Sequence, residues 1–119
     1  FMAFILMMPN SSAFAFKANF KWCSGGSPIF NLEAVPKETK VLSFHMDDLD
    51  RGSFNHGGGD INYSGQKSIP CGALGSSNST YRGPAPPNGP HKYRFTVRAL
   101  DSNGKELART TSERMFPEK

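Results

Sequence analysis

Two histidines and two aspartates are spaced so that they could meet in one small binding site. His91 begins a stretch in which apolar and polar residues alternate, and it falls on the apolar side of that alternation. Asp48 and Asp50 continue the apolar side of an earlier alternating stretch, and His56 follows closely. Carboxylates on an apolar strand face are costly unless they are hydrogen-bonded or lie in a solvated pocket. We therefore predict that these side chains converge from two strand ends.

A stiff segment leads into His91. The stretch from Tyr81 to Phe95 contains four prolines and two glycines. Proline fixes φ and has no backbone donor, so we predict a rigid loop that lies outside any sheet and forms a wall beside the histidine. His45 is on the polar side of its own stretch, and we predict that it is exposed to solvent or packed on a second layer.

The remaining segments are short, alternating and separated by Gly, Pro and Asn. They predict strands near 16–22, 29–32, 40–46, 60–64 and 92–100. We interpret Gly57–Gly59 as a flexible bend that breaks the chain. The Asn103-Gly104 pair favours a hairpin with a return strand at 106–111, with a short helix as the alternative. We predict an all-β fold with antiparallel, sandwich-like sheets, a single domain and little helix.

Several other kinds of site are disfavoured by the sequence. Asp48 and Asp50 alone could be turn residues that bond their own backbone, and this interpretation stays open. No close His spacing or Cys pair supports zinc, and a calcium loop starting at Asp48 would place Gly52 and Gly59 at ligand positions. No activated nucleophile is visible. We predict no metal, no cofactor and no catalytic residue.

Charge and the N-terminus limit the partners and the location. Lys and Arg number 14 and Asp and Glu 10, and the basic residues are scattered, so we predict no nucleic-acid partner. Residues 1–8 are apolar but too short to span a bilayer. With Ala13-Phe14-Ala15 as a cleavage site, residues 1–15 are predicted to be a signal-peptide remnant and 16–119 the domain. A ragged first strand is the alternative. We predict a periplasmic or secreted protein and no transmembrane span.

The chain has two cysteines, Cys23 and Cys71, both near glycines. An oxidising compartment would favour a bridge between them, and backbone freedom could satisfy its geometry. Two free, partly buried thiols are the alternative, and the spacing leaves both open.

The residues from 27 to 101 resemble the phosphatidylethanolamine-binding protein family, also called Raf kinase inhibitor-like proteins, and in particular its small bacterial members. The residues that carry the resemblance are Ser27-Pro28, Phe30, Val35-Pro36, Thr39-Lys40, Asp48-Leu49-Asp50-Arg51-Gly52, His56, Gly83-Pro84-Ala85-Pro86-Pro87, Gly89 and His91-Lys92-Tyr93. The chain departs from the family pattern in three places. Leu49 and Gly52 replace prolines, Ala85 replaces a cysteine, and Gly57–Gly59 stand where many members have a tryptophan. We expect a shallower or more open pocket.

The resemblance implies a pocket that binds a phosphate-like anion or a phospholipid head group. The implied ligand-binding residues are Asp48, Asp50, His56, Gly83, Pro84, Pro86, His91 and Tyr93. The histidine N–H groups, loop amides and the tyrosine hydroxyl would donate to the anion, and the aspartates would orient the histidines. The alternative is a protein-interaction or inhibitor module that acts through the pocket rim. An Asp/His phosphoester hydrolase is the least favoured interpretation, and we expect no enzyme activity.

Overall fold

The computed structural model describes residues 15–24, 27–52, 54–75, 79–86 and 89–118. The predicted signal-peptide remnant lies almost entirely outside this range. The described residues form seven strands and no helix. The strands are β1 Lys17–Lys21, β2 Ile29–Glu33, β3 Val41–Asp48, β4 Asn55–Asn62, β5 Ser68–Ile69, β6 His91–Leu100 and β7 Glu106–Phe116.

The strands make two antiparallel sheets, with the orders β1-β2-β5 and β4-β3-β6-β7. Aromatic side chains pack between them. The Phe20 ring of β1 lies 4.9 Å from the Phe95 ring of β6, and Phe30 of β2 lies 4.6 Å from Phe44 of β3. Edge-on and tilted contacts of this kind stabilise a core beyond the area they bury. The predicted all-β fold with antiparallel sheets is confirmed.

The predicted break at Gly57–Gly59 is wrong, because β4 runs through all three glycines. The segment after residue 78 lies along the edge of β4, where the Thr80 amide donates to the Gly58 carbonyl at 2.8 Å. A Cβ added to Gly57 would lie 2.4 Å from the Thr80 carbonyl oxygen, and one added to Gly59 would lie 2.8 Å from the Ser79 Cβ. The glycines therefore permit a close backbone approach and are not a flexible bend.

The predicted hairpin at Asn103-Gly104 is present, and its return strand is longer than expected. The Asp101 amide donates to the Lys105 carbonyl at 2.9 Å, and Gly104 has a φ of 80°. The strand β7 then continues to Phe116, so the short-helix alternative is wrong. The many polar residues of β7 gave no apolar alternation from which its length could be predicted, and two of them, Ser112 and Arg114, bond to the other sheet.

The edge strands β1 and β7 meet through side-chain hydrogen bonds. Ser112 donates its hydroxyl to the Ala18 carbonyl at 2.9 Å, and Arg114 donates Nε–H to the Phe20 carbonyl at 2.6 Å. These bonds satisfy carbonyls on an edge of the smaller sheet, which would otherwise need water. They close one side of the sandwich.

A disulfide joins Cys23 and Cys71, so the free-thiol alternative is wrong. Their Cα atoms lie 6.0 Å apart, within the usual range for a bridge. The bond ties the chain just after β1 to the loop after β5. In the same region the Gly72 amide donates to the Ser27 hydroxyl at 3.2 Å.

Candidate functional site

Asp48 and His91 meet where β3 ends and β6 begins. Because the two strands are antiparallel, their register places Asp48 opposite Tyr93, two residues after His91. The His91 Nδ1 lies 2.7 Å from the Asp48 Oδ2. A carboxylate can only accept, so Nδ1 carries the proton and the Nε2 of a neutral imidazole keeps its lone pair. The structure thus brings together two of the predicted site residues from separate strands.

The Asp48 carboxylate is held ionised in a nearly closed environment. Asp48 is 3% exposed to solvent. Burial by itself raises the pKa of Asp48, but the hydrogen bond from His91 and the 2.9 Å bond from the Asp50 amide outweigh it, so the pKa is lowered. The partial charges of both neighbouring histidines act in the same direction. Asp48 therefore carries a negative charge at neutral pH and fixes the orientation of His91.

His56 approaches the same place from β4 and is also buried. Its Nδ1 lies 2.7 Å from the Arg82 carbonyl, so it donates a proton there. The Arg82 amide in turn donates to the His56 carbonyl at 2.8 Å. The ring packs edge-on against Phe54 at 4.4 Å and against Tyr93 at 5.4 Å. A neutral His56 consequently also has its lone pair on Nε2.

The Tyr93 hydroxyl is buried and has no hydrogen-bond partner among the described residues. Burial, with the Asp48 charge in second place, raises the pKa of Tyr93 to about 12, so the group keeps its proton. The Ala85 amide and the Asp48 carboxylate also influence this pKa, but neither makes a hydrogen bond of normal geometry with the hydroxyl. An unpaired buried hydroxyl is costly and calls for an explanation such as a ligand or water.

The buried hydroxyl, His56 and Asp48 line one small cavity of about 60 Å³. The described residues that line it are Asp48, Arg51, Phe54, His56, Gly83, Ala85, Pro86 and Tyr93. That volume admits a compact polar group, and not an extended chain. His91 borders the site through Asp48 and does not line the cavity itself.

Two predicted residues lie elsewhere. Asp50 is exposed in the turn after β3 and does not share the buried face with Asp48, because the alternation ends where the turn begins. Its Oδ2 accepts from the Lys92 amide at 2.8 Å, which pins the loop to the start of β6. The local side-chain-to-backbone bond of the open turn interpretation is made by Asp48, whose Oδ1 accepts from the Asp50 amide at 2.9 Å, and not by Asp50. Pro84 does not line the cavity, whereas Gly83 and Pro86 do.

The sequence interpretation missed Arg51 and Phe54 as site residues. The Arg51 guanidinium carbon lies 5.7 Å from the centre of the Phe54 ring, and both side chains line the cavity. Neither belongs to an alternating pattern. The one available signal was their position in the short loop between Asp48 and His56.

A larger open cleft, of about 780 Å³, lies over the glycines of β4, and none of the predicted site residues lines it. His45, which does line it, is exposed as predicted and pairs with Asp47 at 3.2 Å. No group of three or more His, Cys, Asp or Glu able to hold a metal ion occurs in the described ranges. Nor does any described helix have the length and apolarity to cross a bilayer.

Comparison with known families agrees with this geometry. A model of the phosphatidylethanolamine-binding protein family matches residues 10–117, and the chain belongs to that family. No significant match was found among curated proteins or among solved structures.

Proposed function

We propose that the protein binds a small phosphate-type anion, free or as a head group, in the cavity beside Asp48. The observation that carries this proposal is the buried Tyr93 hydroxyl, a protonated donor without a partner among the described residues. An oxyanion in the cavity would accept from it and remove the cost of its burial. Family membership supports a ligand of this class.

His56 supplies a donor that depends on pH. His56 lines the cavity and commits Nδ1–H to the Arg82 carbonyl, so it can donate to an anion from Nε2 only when protonated. Asp48 holds the His91 ring in place through their hydrogen bond, and its carboxylate offers the anion no donor. Anion binding should therefore be stronger when His56 is protonated.

We propose binding and not turnover. The described residues that line the cavity include no Ser, Thr, Cys or Lys, and both oxygens of the Asp48 carboxylate accept hydrogen bonds. Phosphoester hydrolysis would need an activated nucleophile or a positioned water. Incubation with a chromogenic phosphate ester should give no turnover above that of the His91→Ala variant, and turnover that this variant loses would contradict the proposal.

The disulfide supports a periplasmic or secreted location for this binding. Disulfides persist in oxidising compartments and are rare in the reducing cytosol. The bond between Cys23 and Cys71 fits the first environment.

Two exposed apolar side chains at the rim favour a second candidate, binding to a protein partner. Leu49 is 39% exposed and Phe54 is 37% exposed, and they flank Arg51 in the same loop. Leu49→Ser should abolish the binding of a partner that docks on this rim, while phosphate binding in the cavity should persist. Sedimentation with and without phosphate would distinguish a rim partner from a cavity ligand.

NMR titration with inorganic phosphate and O-phosphorylethanolamine tests the proposed function. The imidazole signals of His56 and His91 and the ring signals of Tyr93 should shift together and saturate. His56→Ala should remove most of the affinity because His56 lines the cavity, whereas His45→Ala, which removes an exposed histidine on the other face, should leave it unchanged. Absence of any shift at His56, His91 and Tyr93 would rule the proposal out.

A further inference from the structure

The cavity has one positively charged group that does not depend on pH. The charged and titratable groups that face the cavity are Asp48 from β3, Arg51 from the following loop, His56 from β4 and Tyr93 from β6. His91 lies behind Asp48, and the exposed Asp50 accepts from the Lys92 amide. With both imidazoles neutral, the charges of Asp48 and Arg51 cancel. An anion that enters while both imidazoles are neutral has Arg51 as its only cationic partner among these groups.

Arg51 is placed to act on a ligand. In the described part of the chain it makes no ion pair, and its guanidinium lies over Phe54, which packs against His56. Stacking on an aromatic ring orients the planar guanidinium and leaves its N–H edge available. Such an edge binds two oxygens of a phosphate at once.

We infer that the site takes a terminal phosphate, carried by a phosphate monoester or by inorganic phosphate, and that Arg51 is the fixed cation that holds it when both imidazoles are neutral. This inference rests on the proposed function and narrows its ligand class. A terminal phosphate has three oxygens free of ester bonds. Two can face the Arg51 fork, and the third can accept from Tyr93, which comes from a different strand.

A phosphodiester, such as the one that links a lipid head group to glycerol, fits less well. It has two non-bridging oxygens, which the Arg51 fork alone would use, so none is left to accept from the Tyr93 hydroxyl.

Calorimetric titration at pH 8.0 and pH 5.5 tests the inference, with inorganic phosphate, O-phosphorylethanolamine as monoester and glycerophosphorylethanolamine as diester. At pH 8.0 the wild-type protein should bind the monoester about 10-fold or more tightly than the diester. Arg51→Met should weaken monoester binding about 10- to 100-fold at pH 8.0, and only a few-fold at pH 5.5, where a protonated His56 also donates. Arg51→Lys should recover part of the loss.

The control is Lys37→Met, which removes one positive charge from the exposed turn before β3. It should change neither the monoester affinity nor the diester affinity. Thermal unfolding of each variant shows whether it is folded. Equal binding of monoester and diester would overturn the inferred ligand class. Wild-type affinity in Arg51→Met at pH 8.0 would overturn the role of Arg51. The proposed function would survive both results. Absence of phosphate binding by the wild-type protein at either pH would overturn the proposed function as well.

Discussion

His91 and Asp48, which are 43 positions apart in the chain, are joined by a hydrogen bond of 2.7 Å between Nδ1 and Oδ2. The bond links the last residue of β3 to the first residue of β6. It fixes the imidazole tautomer and keeps a buried carboxylate charged. The same bond therefore contributes to stability and to the chemistry of the cavity, and variants can separate the two contributions.

Tyr93→Phe should weaken phosphate binding about 10-fold, because it removes the buried donor. It should not lower the free energy of unfolding and could raise it, since the hydroxyl is unpartnered among the described residues. Urea unfolding and phosphate titration measure the two effects. Thr39→Val, which removes another buried, unpartnered hydroxyl away from the cavity lining, should leave binding unchanged. A large loss of stability in Tyr93→Phe would show that the hydroxyl is satisfied in solution without a ligand.

Asp48→Asn should lower the free energy of unfolding at pH 7 by about 1–3 kcal/mol, because it weakens a charge-assisted hydrogen bond in a buried place. The pKa of Asp48 is lower in the folded protein than in the unfolded chain, where it is about 3.9. Its contribution is thus fully present above that value and is lost as the pH falls through the lower folded value.

Unfolding measured from pH 7 down to pH 2 checks this prediction. The difference between wild type and Asp48→Asn should shrink below about pH 4. Asp47→Asn is the matched control, because the Asp47 pair with His45 is half exposed and such pairs contribute about 0–1 kcal/mol. Equal effects of the two substitutions would mean that burial does not strengthen the Asp48 bond.

Gly57→Ala should destabilise the fold by about 1–3 kcal/mol. Gly57 has a φ of 65°, and a Cβ there would collide with the Thr80 carbonyl at 2.4 Å. Gly52→Ala is the control, because nothing lies within 4 Å of a Cβ at that position. Chemical unfolding of both variants decides the matter. If Gly57→Ala proved as stable as Gly52→Ala, the segment around Thr80 would not be held against β4 in solution.

Removing the disulfide should cost on the order of 4 kcal/mol, since the bond closes a span of 48 residues in the unfolded chain. Mass spectrometry without reductant should find no free thiol, and added reductant should lower the unfolding midpoint. The double variant Cys23→Ser, Cys71→Ser should unfold at the lower midpoint, and added reductant should not change that midpoint. A wild-type midpoint that reductant does not alter would show that the bond adds no stability.

The sequence determined most of the sheet faces. Strict alternation placed Phe95 and Val97 in the core, put Asp48 and His91 on the buried side, and set His45 outside, because side chains of a strand point to opposite faces in turn. The Asn103-Gly104 pair located the hairpin, because it needs little beyond local backbone preference.

Tertiary structure decided the features that depend on distant neighbours. Gly57–Gly59 look like a bend in the sequence, and only the approach of Ser79 and Thr80 makes them strand residues. Pairing of Cys23 with Cys71 required the two loops to be adjacent. The sequence likewise does not predict that the Tyr93 hydroxyl lacks a hydrogen-bond partner among the described residues. Whether a buried polar group is hydrogen-bonded depends on the groups that the whole fold places around it.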